Sequence, residues 1–311
     1  MLYLILFICL VGVFILGITW LRIGLFNLSG NAMEQWLKKV TNTPLKGMLV
    51  GIIMTPILQS SGAVMVITVG FSFCPCAGIS TNDWNYFGTN IGTTFTLEFL
   101  SFNLSVLVIP FFILGIICMF FRRKKWKSLS FVFIGFAFIF AAMRAFERLA
   151  IPFTQLPATQ KLLLLLSDHF LYAFLVGIFL TACIQSSTVM TGIAMSFLSA
   201  QIFSLETGIA IMLGANIGTC ITGLLASVGA GEEARLTAYA HIWLNVGGAL
   251  ICLPFLSQLS FFCKELSSNP ETQLAHASVI FNLLSSILVL PIATKFGQFI
   301  VKVHGKKTIW N

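Results

Sequence analysis

Charge is what this sequence has least of. Only 28 of its 311 residues are charged (18 Lys or Arg, 10 Asp or Glu), where a soluble domain carries about a quarter. With 58% of residues apolar, there is too little polar surface to face water all round, which excludes a water-soluble fold. Paired cysteines are lacking too. Of the eight, Cys9, Cys118, Cys183, Cys220 and Cys252 fall in apolar segments and read as small buried hydrophobes. Cys74 and Cys76 flank a proline with no second pair nearby, so no zinc site is expected and no disulfide is required. The first apolar stretch has neither a basic start nor a small-residue cleavage site, which predicts a retained span. Nor is the net charge of +8 laid out as a nucleic-acid surface. Arg122, Arg123, Lys124, Lys125 and Lys127 directly follow a span, where cytoplasmic anchors are expected.

What is abundant is apolar length. Runs such as 2–26, 103–121 and 128–143 approach the roughly 20 residues that a spanning helix needs. Within them the sequence repeats itself. Q-S-S occurs at Gln59–Ser61 and at Gln185–Ser187, and G-x-N-I-G-T at Gly88–Thr93 and at Gly214–Thr219. Both pairs are offset by 126 residues (59 to 185, 88 to 214), and Gly51 with Gly177 and Thr55 with Thr181 keep that offset.

Each half therefore reads alike. The expected fold is an all-α integral membrane protein with an inverted-topology repeat, two re-entrant helical hairpins and about seven full spans. The first repeat, 1–127, has a span at 2–26, a hairpin at 46–73 and spans at 84–101 and 103–121. The second, 128–262, has a span at 128–150, a hairpin at 170–199 and spans at 207–228 and 237–262. A final span and cytoplasmic tail fill 263–311. The broken segments are about 28–30 residues long, too short for two crossings at about 1.5 Å per residue, so each enters and leaves on one side. Three crossings per half is an odd number, which turns the second half upside down. With the 122–127 loop inside, the N-terminus is outside and the C-terminus cytoplasmic. Fourteen basic residues then fall on or near the inner side. Four, Arg144, Arg148, Lys161 and Lys264, fall on or near the outer side.

Inverted repeats with broken helices in matching positions point to a transporter site at the bilayer midplane. Non-helical backbone at that depth survives only inside protein or beside a watery cavity. A serine cap opens each second hairpin helix, whose N-terminus offers free N–H groups to an anion. Gln59, Ser60, Ser61, Gln185, Ser186, Ser187 and Thr188 are thus the expected substrate ligands. Neither motif contains Lys or Arg, so the anion is expected to lack a protein cation and to need co-bound metal cations. Asn90, Thr93, Thr94, Asn216 and Thr219 supply hard oxygen ligands for an alkali cation. Gly88, Gly92, Gly214 and Gly218 serve close helix packing, cation contact, or both.

These paired motifs resemble the sodium/phosphate cotransporter family, with its paired Q-S-S-S and G-(S/A/T)-N-I-G-T motifs. The resemblance covers residues 45–100 and 170–255. It includes Ala240–His241, Leu244–Asn245 and Pro254, loosely echoed 37 residues later by Phe281–Asn282 and Pro291. It implies a hairpin-containing transport domain against a scaffold, phosphate on the Q-S-S residues and Na+ beside it. The expected function is sodium-coupled symport of inorganic phosphate by alternating access in the plasma or inner membrane. Na+ is the coupling ion, no cofactor is expected, and a homodimer is left open. Gly62 and Thr188 replace the motif's third serine. Gly62 motivates the alternative, a carrier or exporter of another small anion, not necessarily sodium-coupled. No soluble regulatory domain is expected after the last span.

An intramembrane hydrolase using Ser60 or Ser186 with His241 is disfavoured, because the serines are duplicated and the histidine is not. No enzyme activity is expected. His241 reads as a hydrogen-bonded packing residue. Glu98, inside a span, has no acidic counterpart at Leu224 and is expected to pair with Arg144 or Arg148. Asp168 and His169 read as the solvated approach to the second hairpin.

Overall fold

The computed structural model describes residues 2–40, 44–61, 64, 85–102, 104–229 and 231–305. These residues form α-helices with short 3-10 turns and no strand. The order is α1 (Leu2–Val40), α2 (Pro44–Leu58), α3 (Asn85–Ser101), α4 (Val108–Met119), α5 (Lys124–Thr154), α6 (Pro157–Asp168) and α7 (Phe170–Ile184). There follow α8 (Ser187–Ser199), α9 (Leu205–Ser227), α10 (Glu232–Cys252), α11 (Leu256–Leu266), α12 (Pro270–Val289) and α13 (Ala293–His304). Among the described residues five stretches are long and apolar enough to cross a membrane, and up to seven if each of two bent pairs counts as one span. The protein is a multi-pass membrane protein. Side chains such as Leu250, Ile251, Phe261 and Phe179 stand more than half exposed on its outer surface, which lipid accommodates and water does not.

The second hairpin is complete. α7 ends at Ile184, Gln185 turns in the left-handed region at φ 59°, and Ser186 caps α8 by accepting from the Val189 N–H at 3.3 Å. Every residue of α8 from Ser187 to Leu198 is buried. Of the first hairpin, α2 and the turn at Gln59 and Ser60 are described. The expected second arm beyond Val64, Gly62 and the pair Cys74 and Cys76 lie outside the described residues.

The turns match across the repeat. Gln59 N–H donates to the Thr55 carbonyl at 2.7 Å and Gln185 N–H to that of Thr181 at 2.7 Å. Val64 N–H meets the Ser60 carbonyl at 3.1 Å and Met190 N–H that of Ser186 at 3.2 Å. The motif glycines explain the close approach of the helices. A Cβ at Gly92 would stand 2.8 Å from the Thr55 Cβ, and one at Gly218 2.7 Å from that of Thr181.

Other elements depart from the expected boundaries. α1 runs on to Val40, past its apolar stretch. α3 and α4 meet at a 78° bend, and α4 has 12 residues, short for an independent crossing. α6 was not foreseen as a helix. It meets α7 at 118°, with Asp168 and His169 exposed at the corner. The long final segments break into 3-10 turns at Pro254 (Leu253–Phe255) and Pro291 (Leu290–Ile292). Each proline lacks the N–H that would continue the helix, and the two lie 37 residues apart, as the echoed phrase does. Two cysteines correct the reading of buried sulfurs. Cys118 and Cys220 are buried, but Cys9 and Cys183 are exposed, on helix faces turned away from the packed core.

Candidate functional site

Both hairpin turns open into one cavity of about 30 Å³. Its lining is Arg22, Thr55, Gln59, Ser60, Ser61, Thr93, Thr96, Gln185, Ser186, Ser187, Thr188, Thr219 and Thr222. Every one of these side chains is polar, and five pairs are repeat-related: Gln59 with Gln185, Ser60 with Ser186, Ser61 with Ser187, Thr93 with Thr219 and Thr96 with Thr222. By contrast a larger cavity, about 760 Å³ between α10, α11 and α12, is lined by residues such as Trp243, Ile251, Phe255 and Leu288 and holds no residue of the Q-S-S or G-x-N-I-G-T motifs.

The geometry of the turns decides what the cavity offers. Gln59 Nε2 donates to Thr96 Oγ1 at 3.0 Å and to the Pro56 carbonyl, while its buried Oε1 has no hydrogen-bond partner among the described residues. On the other side, α8 begins at the cavity wall, so the first-turn amides of Ser187 and Thr188 lie beside it without intrahelical acceptors. One wall therefore carries N–H and O–H donors suited to an anion. The other carries a carbonyl oxygen suited to a cation.

Of the residues expected to hold substrate, Gln59, Ser60, Ser61, Gln185, Ser186, Ser187 and Thr188 are brought together here. Of those expected to hold sodium, Thr93 and Thr219 line the cavity, and their hydroxyls also donate to the Thr89 carbonyl at 2.9 Å and the Ala215 carbonyl at 2.8 Å. Asn90, Thr94 and Asn216 do not line it. Asn90 is engaged across the two halves. Its Nδ2 donates to Asn245 Oδ1 at 3.3 Å and its Oδ1 lies 2.7 Å from His241 Nε2. Since that amide oxygen can only accept, Nε2 carries the proton. His241 is buried and lies away from the serines, as a packing histidine does. Thr94 Oγ1 bonds the Ile91 carbonyl at 2.7 Å, and Asn216 Nδ2 meets Met212 Sδ at 3.5 Å.

Two expectations are overturned. The site does have a protein cation beside it. Arg22, from α1, lines the cavity and donates through Nη2 to the Gln59 carbonyl at 2.9 Å. It lies 37 residues before the motif, in a span whose local sequence gives no sign of the contact. Glu98 pairs with neither Arg144 nor Arg148. Its Oε1 lies 2.7 Å from His276 Nδ1 on α12, while Arg144 bonds Glu147 at 3.2 Å. α12 packs directly on α3, which brings the histidine closer than either arginine.

Membrane-length helices around a cavity lined by polar side chains define a multi-pass membrane protein. More narrowly, the chain belongs to the Na+/Pi-cotransporter family, whose model matches residues 13–148 and 154–265. It is 38% identical over 300 residues to YqeW of Bacillus subtilis, an uncharacterized protein, covering 96% of this chain and 98% of that one. It is 24% identical over 295 residues to the candidate inorganic phosphate export protein YjbB of Salmonella typhimurium, covering 94% of this chain but only 54% of YjbB. A sodium-dependent phosphate transport protein, 2C of Mus musculus, matches at 31% over 131 residues, 40% of this chain and 21% of its own. No solved structure matches the chain.

Proposed function

We propose that the protein is a secondary active transporter that carries inorganic phosphate with sodium across the membrane by alternating access. The observation behind this reading is one polar cavity bordered by both Q-S-S turns, with the Arg22 guanidinium and the Gln59 amide oxygen at the first turn and the open amides of α8 at the second. Phosphate is assigned to Ser60, Ser61, Ser186, Ser187, Thr188, the Gln59 and Gln185 side chains and the first-turn amides of α8. Sodium is assigned to Gln59 Oε1, Thr93 and Thr219. A divalent phosphate brings two negative charges and Arg22 offsets one of them. A co-bound cation then lowers the cost of holding the second charge away from water. The orientation follows from the basic residues: N-terminus outside, C-terminus cytoplasmic.

A second reading concerns direction. YjbB, matched along 94% of this chain, carries an export name, whereas the sodium-dependent relative matches 40% of it. The purified protein in liposomes separates the readings. Labelled phosphate is expected to accumulate when an inward sodium gradient is imposed and to stop when the gradient is collapsed. Phosphate movement that ignores sodium would remove the symport claim and leave the exporter.

A further inference from the structure

Arg22 has a counterpart that the cavity does not contain. Shifted by the repeat offset of 126, it lands on Arg148, near the C-terminal end of α5. The two arginines occupy the same position in the first span of each inverted half but are engaged differently. Arg22 reaches the carbonyl of Gln59 at the turn of its own hairpin. Both arginines are exposed, but Arg148 makes no hydrogen bond or ion pair among the described residues. The helices carrying them differ in the same sense. α1 packs along α2, the first arm of its hairpin, whereas α5 packs on α8 and scarcely touches α7.

We propose that Arg22 and Arg148 are a pair of anion-receiving residues, one for each side of the membrane, that act in turn. This rests on the phosphate-transport reading of the cavity. Two halves encoding the same contacts make them one at a time, and exchanging their conformations produces the opposite-facing state. In the state described here the first half has its arginine drawn onto the hairpin turn. In the opposite state Arg148 donates to the Gln185 carbonyl and lines the cavity, while Arg22 releases the Gln59 carbonyl. Neither arginine has an acidic partner among the described residues, and such an arginine in a spanning helix is costly unless it serves a solute. Arg22 uses one of its five N–H groups on a described residue, which leaves the fork open to oxyanion oxygens.

The test is sidedness. In liposomes of uniform orientation, at saturating sodium, labelled phosphate is offered from one face or the other. Arg148→Gln is expected to raise KM about tenfold from the face where Arg148 lies and to leave the opposite KM nearly unchanged. Arg22→Gln does the reverse, and Arg→Lys recovers most of each loss. An equal shift from both faces, or none, overturns the pairing. If the wild-type protein carries no phosphate, the function reading falls, and spin-label distances still judge the pair. Labels at the exposed positions Ile23 and Ile53 report α1 against α2, and labels at Ile151 and Phe179 report α5 against α7. One distance lengthening as the other shortens supports alternation; both static or moving together overturns it.

Discussion

Gln59 and Gln185 hold φ at 50° and 59°, a region that costs a residue with a Cβ roughly 1–2 kcal/mol. Glycine would adopt it freely, so keeping glutamine at both turns marks the side chain as the useful part. Gln185→Gly is therefore expected to unfold no earlier than the wild type in a thermal melt while losing most phosphate transport. Full transport would reduce Gln185 to a turn former. The motif residues were legible because two short polar patterns recur at one spacing inside apolar surroundings. Arg22 was not, because a single arginine in a span looks like an interfacial anchor until the tertiary fold sets it beside Gln59. The signal that could have found it was already in the sequence, in its registration with Arg148.

At the scale of elements, the two hairpin arms lie against the G-x-N-I-G-T helices so closely that no side chain fits between. A Cβ on Gly88 would collide with the Met48 carbonyl, and one on Gly214 with the Phe174 carbonyl, again 126 residues apart. Both obstacles are backbone, which cannot step aside. Gly214→Ala is expected to cost about 1–3 kcal/mol by overpacking and to lower the melting temperature, whereas Gly247→Ala, with nothing within 4 Å, is neutral. Equal melting temperatures for the two would refute the packing role. The second hairpin could be read in advance because Q-S-S interrupts an apolar run of helical length. α6 could not, because Leu162–Leu166 merge with the hairpin's own apolar residues and the 118° corner at Asp168 carries no proline or glycine.

Across the whole molecule, polar contacts tie the two halves and the final span together. His241 on α10 meets Asn90 on α3, and His276 on α12 meets Glu98. Such pairs join residues 151 and 178 apart in sequence, a separation that no local pattern encodes, so Asn90 read as a cation ligand, Glu98 as the partner of an arginine, and His276 did not stand out. If Glu98 and His276 act as one unit, their effects will not add. Glu98→Gln and His276→Gln are each expected to lower the melting temperature by about 3 °C, on the order of 1 kcal/mol, with little further loss in the double variant. A fully additive loss would mean that the contact contributes nothing as a pair.

The proposed function requires the two duplicated motifs, whose turns line one cavity, to act as a single binding site. Equilibrium binding of labelled phosphate to the purified protein, at saturating sodium, measures this directly. The account predicts one phosphate per chain, with Ser60→Ala and Ser186→Ala each weakening that one site tenfold or more, the loss of a hydrogen bond to a charged group. Two phosphates per chain, with each variant removing half the capacity and leaving the other half at wild-type affinity, would contradict it.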